Sequence, residues 1–145
     1  MKERTKKTTS LSAVSAGSIT LGGELTANRL GFGAMRRFYI NDRKFAPDAN
    51  PMTSVRVGTY QHWRIVNETA ELHPFHIHQV HFLAYAENDV PLPYPAWLDT
   101  VNVPYRSSVD VILDFTDPVI KGMSVFHCHL LNHEDKGMMA KILFK

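Results

Sequence analysis

The sequence predicts an all-β protein, a Greek-key sandwich or barrel, and three observations carry that prediction. From Arg36 onward, short runs of β-branched and aromatic residues recur between turn residues. No segment sustains a helical period over three turns. Where one face is clearly apolar, the period is two: Val109, Val111, Leu113 and Phe115 share a face, while Asp110 and Asp114 help to make the other polar.

The candidate strands follow in order. Arg37–Ile40 carries Phe38, Tyr39 and Ile40 and stops at Asn41-Asp42; Ser54–Val57 follows the Asn50-Pro51 break. In His62–Asn67, Trp63 and Ile65 alternate with His62 and Arg64. His76–Tyr85 reads as one long strand, closed downstream by the proline-rich Pro91 to Pro95. Thr100–Val103, Ser108–Phe115, Ser124–His129 and Met139–Phe144 complete the set, with Asp117-Pro118 as the last break. Roughly seven or eight short strands over about 110 residues suit a sandwich or barrel. No internal repeat is visible.

Residues 1–34 read differently. Met1–Ser10 is basic and polar, and Leu11–Gly23 is dominated by Ser, Ala, Gly and isolated aliphatics. The outline is that of an export signal, but Ser12, Ser15, Ser18 and Thr20 interrupt the apolar stretch. The expectation is a disordered extension over 1–34 and one domain over 35–145.

Composition bounds the chemistry. The 145 residues are 44% apolar and 21% charged, neither disordered nor membrane-embedded. No run reaches the roughly 18 to 20 apolar residues of a membrane span. One cysteine excludes an intrachain disulfide framework and any multi-cysteine zinc or iron–sulfur site within the chain. A net charge of +2 argues against nucleic acid as the main partner. That charge divides unevenly: residues 1–44 hold nine Lys/Arg against three Asp/Glu, and the remainder holds seven against eleven.

Chemistry-bearing residues gather in two motifs, His73-Pro-Phe-His76-Ile-His78 and His127-Cys128-His129, the latter followed by His133 and Met138-Met139. On a strand, Cys128 would project to one face and His127 and His129 to the other, so one metal could not easily take all three. Sorting by ligand type gives one thiolate, two imidazoles and a thioether in His73, Cys128, His133 and Met138. That set matches a blue-copper electron-transfer site; zinc is the rival, though structural zinc takes more thiolates and does not recruit methionine. His76, His78, His127 and His129 remain as an all-imidazole group suited to copper or zinc. His62 reads as a solvated surface residue, His81 as a packing or hydrogen-bonding one, and Met139 as core.

The two motifs, in this order and spacing, resemble those of the C-terminal cupredoxin domain of multicopper oxidases, the laccase, bilirubin-oxidase and cuprous-oxidase group. The likeness runs from about Arg36 to Lys145 and takes in Trp97-Leu-Asp99-Thr-Val-Asn-Val and Asp114-Phe-Thr-Asp-Pro118. It implies a cupredoxin-type sandwich with His73, Cys128 and His133 on a type 1 copper and Met138 as weak axial ligand. It further implies His76 on a type 2 copper and His78, His127 and His129 on a type 3 pair. Electrons would enter at the type 1 copper and pass through Cys128 to a trinuclear cluster that reduces dioxygen to water. Glu134 occupies the position of an acid that assists proton delivery in some relatives; a surface acid is the alternative.

In that family the cluster takes eight histidines, four of them from two His-X-His motifs of an N-terminal domain that this chain does not carry. The expected partners are therefore such a domain or another chain, a small reducing substrate and dioxygen. Location in the periplasm or outside the cell follows only from family habit. The alternative is a stand-alone single-copper electron-transfer protein without oxidase activity.

Overall fold

A computed structural model describes residues 15–27 and 34–145. In chain order its strands are β1 (Ser15–Ala27), β2 (Ala34–Ile40), β3 (Thr53–Val55), β4 (Thr59–Asn67), β5 (His73–Ile77) and β6 (Phe82–Glu87), then β7 (Val90–Leu98), β8 (Thr100–Val103), β9 (Ser107–Phe115), β10 (Gly122–Cys128) and β11 (Met139–Phe144). A 3-10 turn spans Pro118–Ile120, and one short helix, α1, spans Leu131–Asp135. The strands form two sheets, a six-stranded one ordered β2-β1-β4-β9-β6-β7 and a five-stranded one ordered β3-β11-β10-β5-β8.

The period-two pattern sets which residues meet between the sheets. Trp63 of the first sheet sits edge-on to Phe126 of the second at 5.9 Å, Phe82 faces Phe75 at 6.1 Å, and Phe115 faces Phe144 at 5.5 Å. All five phenylalanines are fully buried, and each such side chain contributes about 1.5–3 kcal/mol through burial. On the outer face of the first sheet, Arg64 of β4 forks onto the nearly buried Asp110 of β9, with Nε to Oδ1 at 2.8 Å and Nη2 to Oδ2 at 2.9 Å. Arg64 also donates to Asp89.

Four elements differ from the sequence reading, each for an identifiable reason. The expected disordered extension over 1–34 gives way across Ser15–Ala27 to β1, which pairs antiparallel with β2 and parallel with β4. Ile19 and Leu21 alternate into the core, and Gly17 leaves room for the Trp63 indole, which a Cβ there would approach to 3.1 Å. Residues 1–14 and 28–33, also within that expected extension, lie outside the described residues.

The single strand expected over His76–Tyr85 is two strands in different sheets. Buried positions fall on Phe75 and Ile77 but then on Phe82, Ala84 and Ala86, a parity change that one strand cannot make. The chain turns between them with Gln79 in the left-handed region at φ 69°.

The proline-rich break is itself β7, which among the described residues is an edge strand paired with β6 alone, where missing ladder donors are tolerated. Finally, His129 lies beyond β10, which ends at Cys128.

Candidate metal centre

Two adjacent central strands build the site. In the β5–β10 register His127 stands opposite His76, and Cys128 stands opposite Phe75. Because side chains alternate, Cys128 joins Phe75 in the interior while His76 and His127 share the outer face. Beyond Cys128 the chain doubles back. His129 N–H donates to the Pro74 carbonyl, α1 carries His133 and Glu134, and Cys128 N–H donates to the Met138 carbonyl at 3.0 Å. Gly137 makes the return possible at φ 108°, where a Cβ would also run into the Lys44 side chain.

The interior group is His73, Cys128 and His133, all buried. The Cys128 sulfur lies 3.6 Å from Nδ1 of each histidine, and the two Nδ1 atoms are 3.0 Å apart. Metal–ligand bonds of about 2.0–2.3 Å leave neighbouring ligand atoms about 3–4 Å apart, so a thiolate and two imidazoles so placed fit one metal ion. Phe38 of β2 covers them, stacked on His133 at 4.0 Å and edge-on to His73 at 5.9 Å. Met138 is fully buried, and its N–H donates to the His133 carbonyl.

Burial sets the protonation here. It lowers His73 to about 4, helped by the neighbouring His133, so the ring is neutral and able to ligate near pH 7. It also pushes the Cys128 thiol up to about 11, against a backbone hydrogen bond from Leu130 and with repulsion from Glu134. A metal bound here therefore displaces the thiol proton.

The outer group is His76, His78 and His127, whose ligand atoms lie within 4.8 Å of one another. His78 Nε2 and His127 Nε2 are 3.0 Å apart. His129 is not in that close set; it joins by ring contact, 5.2 Å from His76 and 5.7 Å from His127. Burial and the surrounding imidazoles lower the pKa of His78.

Carbonyl partners fix two of these rings. His76 Nδ1 lies 2.8 Å from the Asp99 carbonyl and His127 Nδ1 lies 2.9 Å from the Cys128 carbonyl. A carbonyl only accepts, so each Nδ1 carries the hydrogen and each Nε2 presents a lone pair. The inner and outer groups thus offer opposite ring nitrogens. Glu134 Oε2 stands 3.3 Å from His127 Nδ1.

The family model described as multicopper oxidase matches residues 19–145. The chain belongs to the multicopper oxidase family. Among curated multicopper oxidase relatives, bilirubin oxidase of Albifimbria verrucaria is 35% identical over 109 residues, 70% of this chain and 19% of that protein. Laccase of Bacillus subtilis (strain 168) is 32% identical over 111 residues, 62% of this chain and 21% of that protein. The chain thus spans about a fifth of the length of either relative.

The solved structure of a multicopper oxidase from Campylobacter jejuni, a metallo-oxidase, superposes with a TM-score of 0.79 at 22% identity, covering 92% of this chain and 30% of that one. The fold is accordingly the cupredoxin-type sandwich. Membership implies copper as the metal, and the His/Cys groups are ones that could hold it.

Several partners of the site escaped the sequence reading. Phe38, Asn67, Thr69, Glu71, Asp99 and Thr100 are ordinary residue types that reach the site from β2, from the end of β4, from the β4–β5 connector and from the β7–β8 junction. His62 bonds Tyr85 at 2.6 Å and lies 3.7 Å from Asp110, away from both groups, so its reading as a simply solvated residue is too plain. His81 is exposed in the turn after β5. Met139 is half-buried.

Proposed function

We propose that the chain is the C-terminal copper domain of a multicopper oxidase that oxidises a small reducing substrate one electron at a time and reduces dioxygen to water. In this reading His73, Cys128 and His133 hold a type 1 copper with Met138 as weak axial ligand. His76 serves a type 2 copper, and His78, His127 and His129 serve a type 3 pair, half of an eight-histidine cluster. An N-terminal cupredoxin domain or another chain supplies the other four imidazoles from two His-X-His motifs.

The carrying observation is that an all-imidazole group lies directly across the β10 backbone from the Cys/His/His group. A pure electron carrier has no use for it. Copper bound at the two places would supply one-electron redox chemistry and the activation of dioxygen. The residues themselves contribute position and connection. Cys128 is bonded through single peptides to His127 and His129, the shortest covalent route between the groups. Glu134, beside His127, is placed to hold a proton at its carboxylate for delivery to reduced oxygen. Periplasmic or extracellular location accords with family habit; among the described residues no helix is long and apolar enough to cross a membrane.

A stand-alone single-copper electron-transfer protein is the second reading. It is favoured by the inner group, which is buried and made entirely from this chain. Oxygen uptake separates the two. The copper-loaded chain, mixed with a domain bearing two His-X-His motifs and a reductant such as a simple phenol, consumes oxygen if it is an oxidase domain. A blue protein that stays silent with that domain supports the carrier.

A further inference from the structure

The connector between β4 and β5 holds a hydrogen-bond network with a direction. Asn67, the last residue of β4, is 1% exposed. Its Nδ2 lies 2.7 Å from the Glu71 carbonyl and 3.0 Å from those of Val103 and Pro104. Three acceptors can be met only by the amide nitrogen, so the amide cannot be flipped and Oδ1 must face the other way. There Oδ1 accepts the Thr69 backbone N–H at 2.9 Å and stands 2.8 Å from Thr69 Oγ1.

Thr69 passes that direction on. Its hydroxyl has one hydrogen and two lone pairs. The Glu71 N–H points at Oγ1 from 3.2 Å, and His73 Nε2 lies 2.7 Å away. The hydroxyl hydrogen has two acceptors, Asn67 Oδ1 at 2.8 Å and, farther off, the Glu71 carbonyl at 3.1 Å; with it given to Asn67 Oδ1, the nearer, Oγ1 accepts from both Glu71 N–H and His73 Nε2–H. His73 then carries its hydrogen on Nε2 and turns the Nδ1 lone pair toward Cys128 and His133. The opposite tautomer would aim an Nδ1–H at His133 Nδ1 and the Cys128 sulfur, where ligation needs a lone pair, and would draw the hydroxyl hydrogen away from the oxygen acceptors Asn67 Oδ1 and the Glu71 carbonyl.

We propose that Asn67, acting through Thr69, is a positioning pair that sets the neutral tautomer of His73 and so prepares Nδ1 to ligate. This rests on the reading of His73 as a copper ligand. The same connector also presents Glu71, whose Oε2 lies 3.4 Å from His133 Nε2, so it faces the outer nitrogen of both inner imidazoles. Outer partners of this kind typically change metal affinity by about 10–100-fold.

The test begins without metal. Nitrogen-15 NMR of the metal-free protein reads the His73 tautomer in wild type, Thr69→Ser, Thr69→Val and, should the valine variant not fold, Thr69→Ala. The expected result is Nε2–H in wild type and Thr69→Ser and a mixture of tautomers once the hydroxyl is gone. Pure Nε2–H at His73 without the hydroxyl overturns the proposal. Equilibrium dialysis with copper then reads affinity, expected about 10–100-fold weaker without the hydroxyl and restored by serine; unchanged affinity also overturns it. Should wild type take up no copper, the ligand reading fails while the tautomer result still decides the positioning claim.

Discussion

His127 and Cys128 are neighbours on β10 and serve different groups: the Cys128 sulfur lies 3.6 Å from His73 and His133 Nδ1, whereas His127 Nε2 lies 3.0 Å from His78 Nε2. Strand alternation alone produces this division. If the inner group holds type 1 copper, Cys128→Ser abolishes the intense blue thiolate–copper absorption while the sheets stay folded. A serine variant that remains blue would remove Cys128 from the site. Visible absorption with circular dichroism makes the check.

Met138 is fully buried where the chain returns from α1. Met138→Leu is close to volume-conserving, so its stability cost should stay below about 1.5 kcal/mol. The blue colour should persist while the reduction potential shifts, because a weak axial ligand tunes the potential rather than making the chromophore. Redox titration of the two proteins decides; an unchanged potential argues against axial ligation.

Glu134 stands 3.3 Å from His127 Nδ1, on the side of the ring away from His78. Glu134→Gln keeps a hydrogen-bonding amide there but cannot cycle a proton. In the completed assembly, oxygen reduction should slow by about 100-fold or more with the blue band unaltered, the scale of a lost general acid. Equal oxygen-uptake rates would return Glu134 to a surface role.

Acid stability should report the Arg64–Asp110 fork, which is remote from both imidazole groups. Hydrogen bonding to Arg64 holds the Asp110 carboxyl below its ordinary range, against the opposing effect of burial. A depressed folded-state pKa means the contribution is fully present above the unfolded value of about 3.9. It is lost as pH falls through the lower folded value. Asp110→Asn should therefore be less stable than wild type at pH 7, with the difference shrinking below about pH 4. Urea unfolding across pH 2–7 measures this; a pH-independent difference contradicts the account.

Much of this architecture is legible in the sequence. The bounds of β8 and β11 follow from short β-rich runs between breaks, and β9 follows from its unbroken alternation. β1 was hidden because Ser, Gly and Thr dilute Ile19 and Leu21, the two residues that fix its inner face. β7 was hidden because prolines at an edge strand look like a loop. The parity change between Ile77 and Phe82 was readable in principle, and it marks where the chain leaves one sheet for the other. Ligand candidates were legible because thiolate, imidazole and thioether in close spacing have few other uses. Asn67, Thr69 and Phe38 were not, since threonine, asparagine and phenylalanine gain meaning there only through folding.

The proposed function requires that His73, Cys128, His133 and Met138 of this chain form a type 1 site by themselves. The most direct measurement loads the purified chain with copper and records its visible spectrum and copper content together. An intense blue protein with about one firmly held copper per chain is the expected result. A copper-loaded chain with no blue band would contradict it, because His73, Cys128 and His133 would then not share one ion.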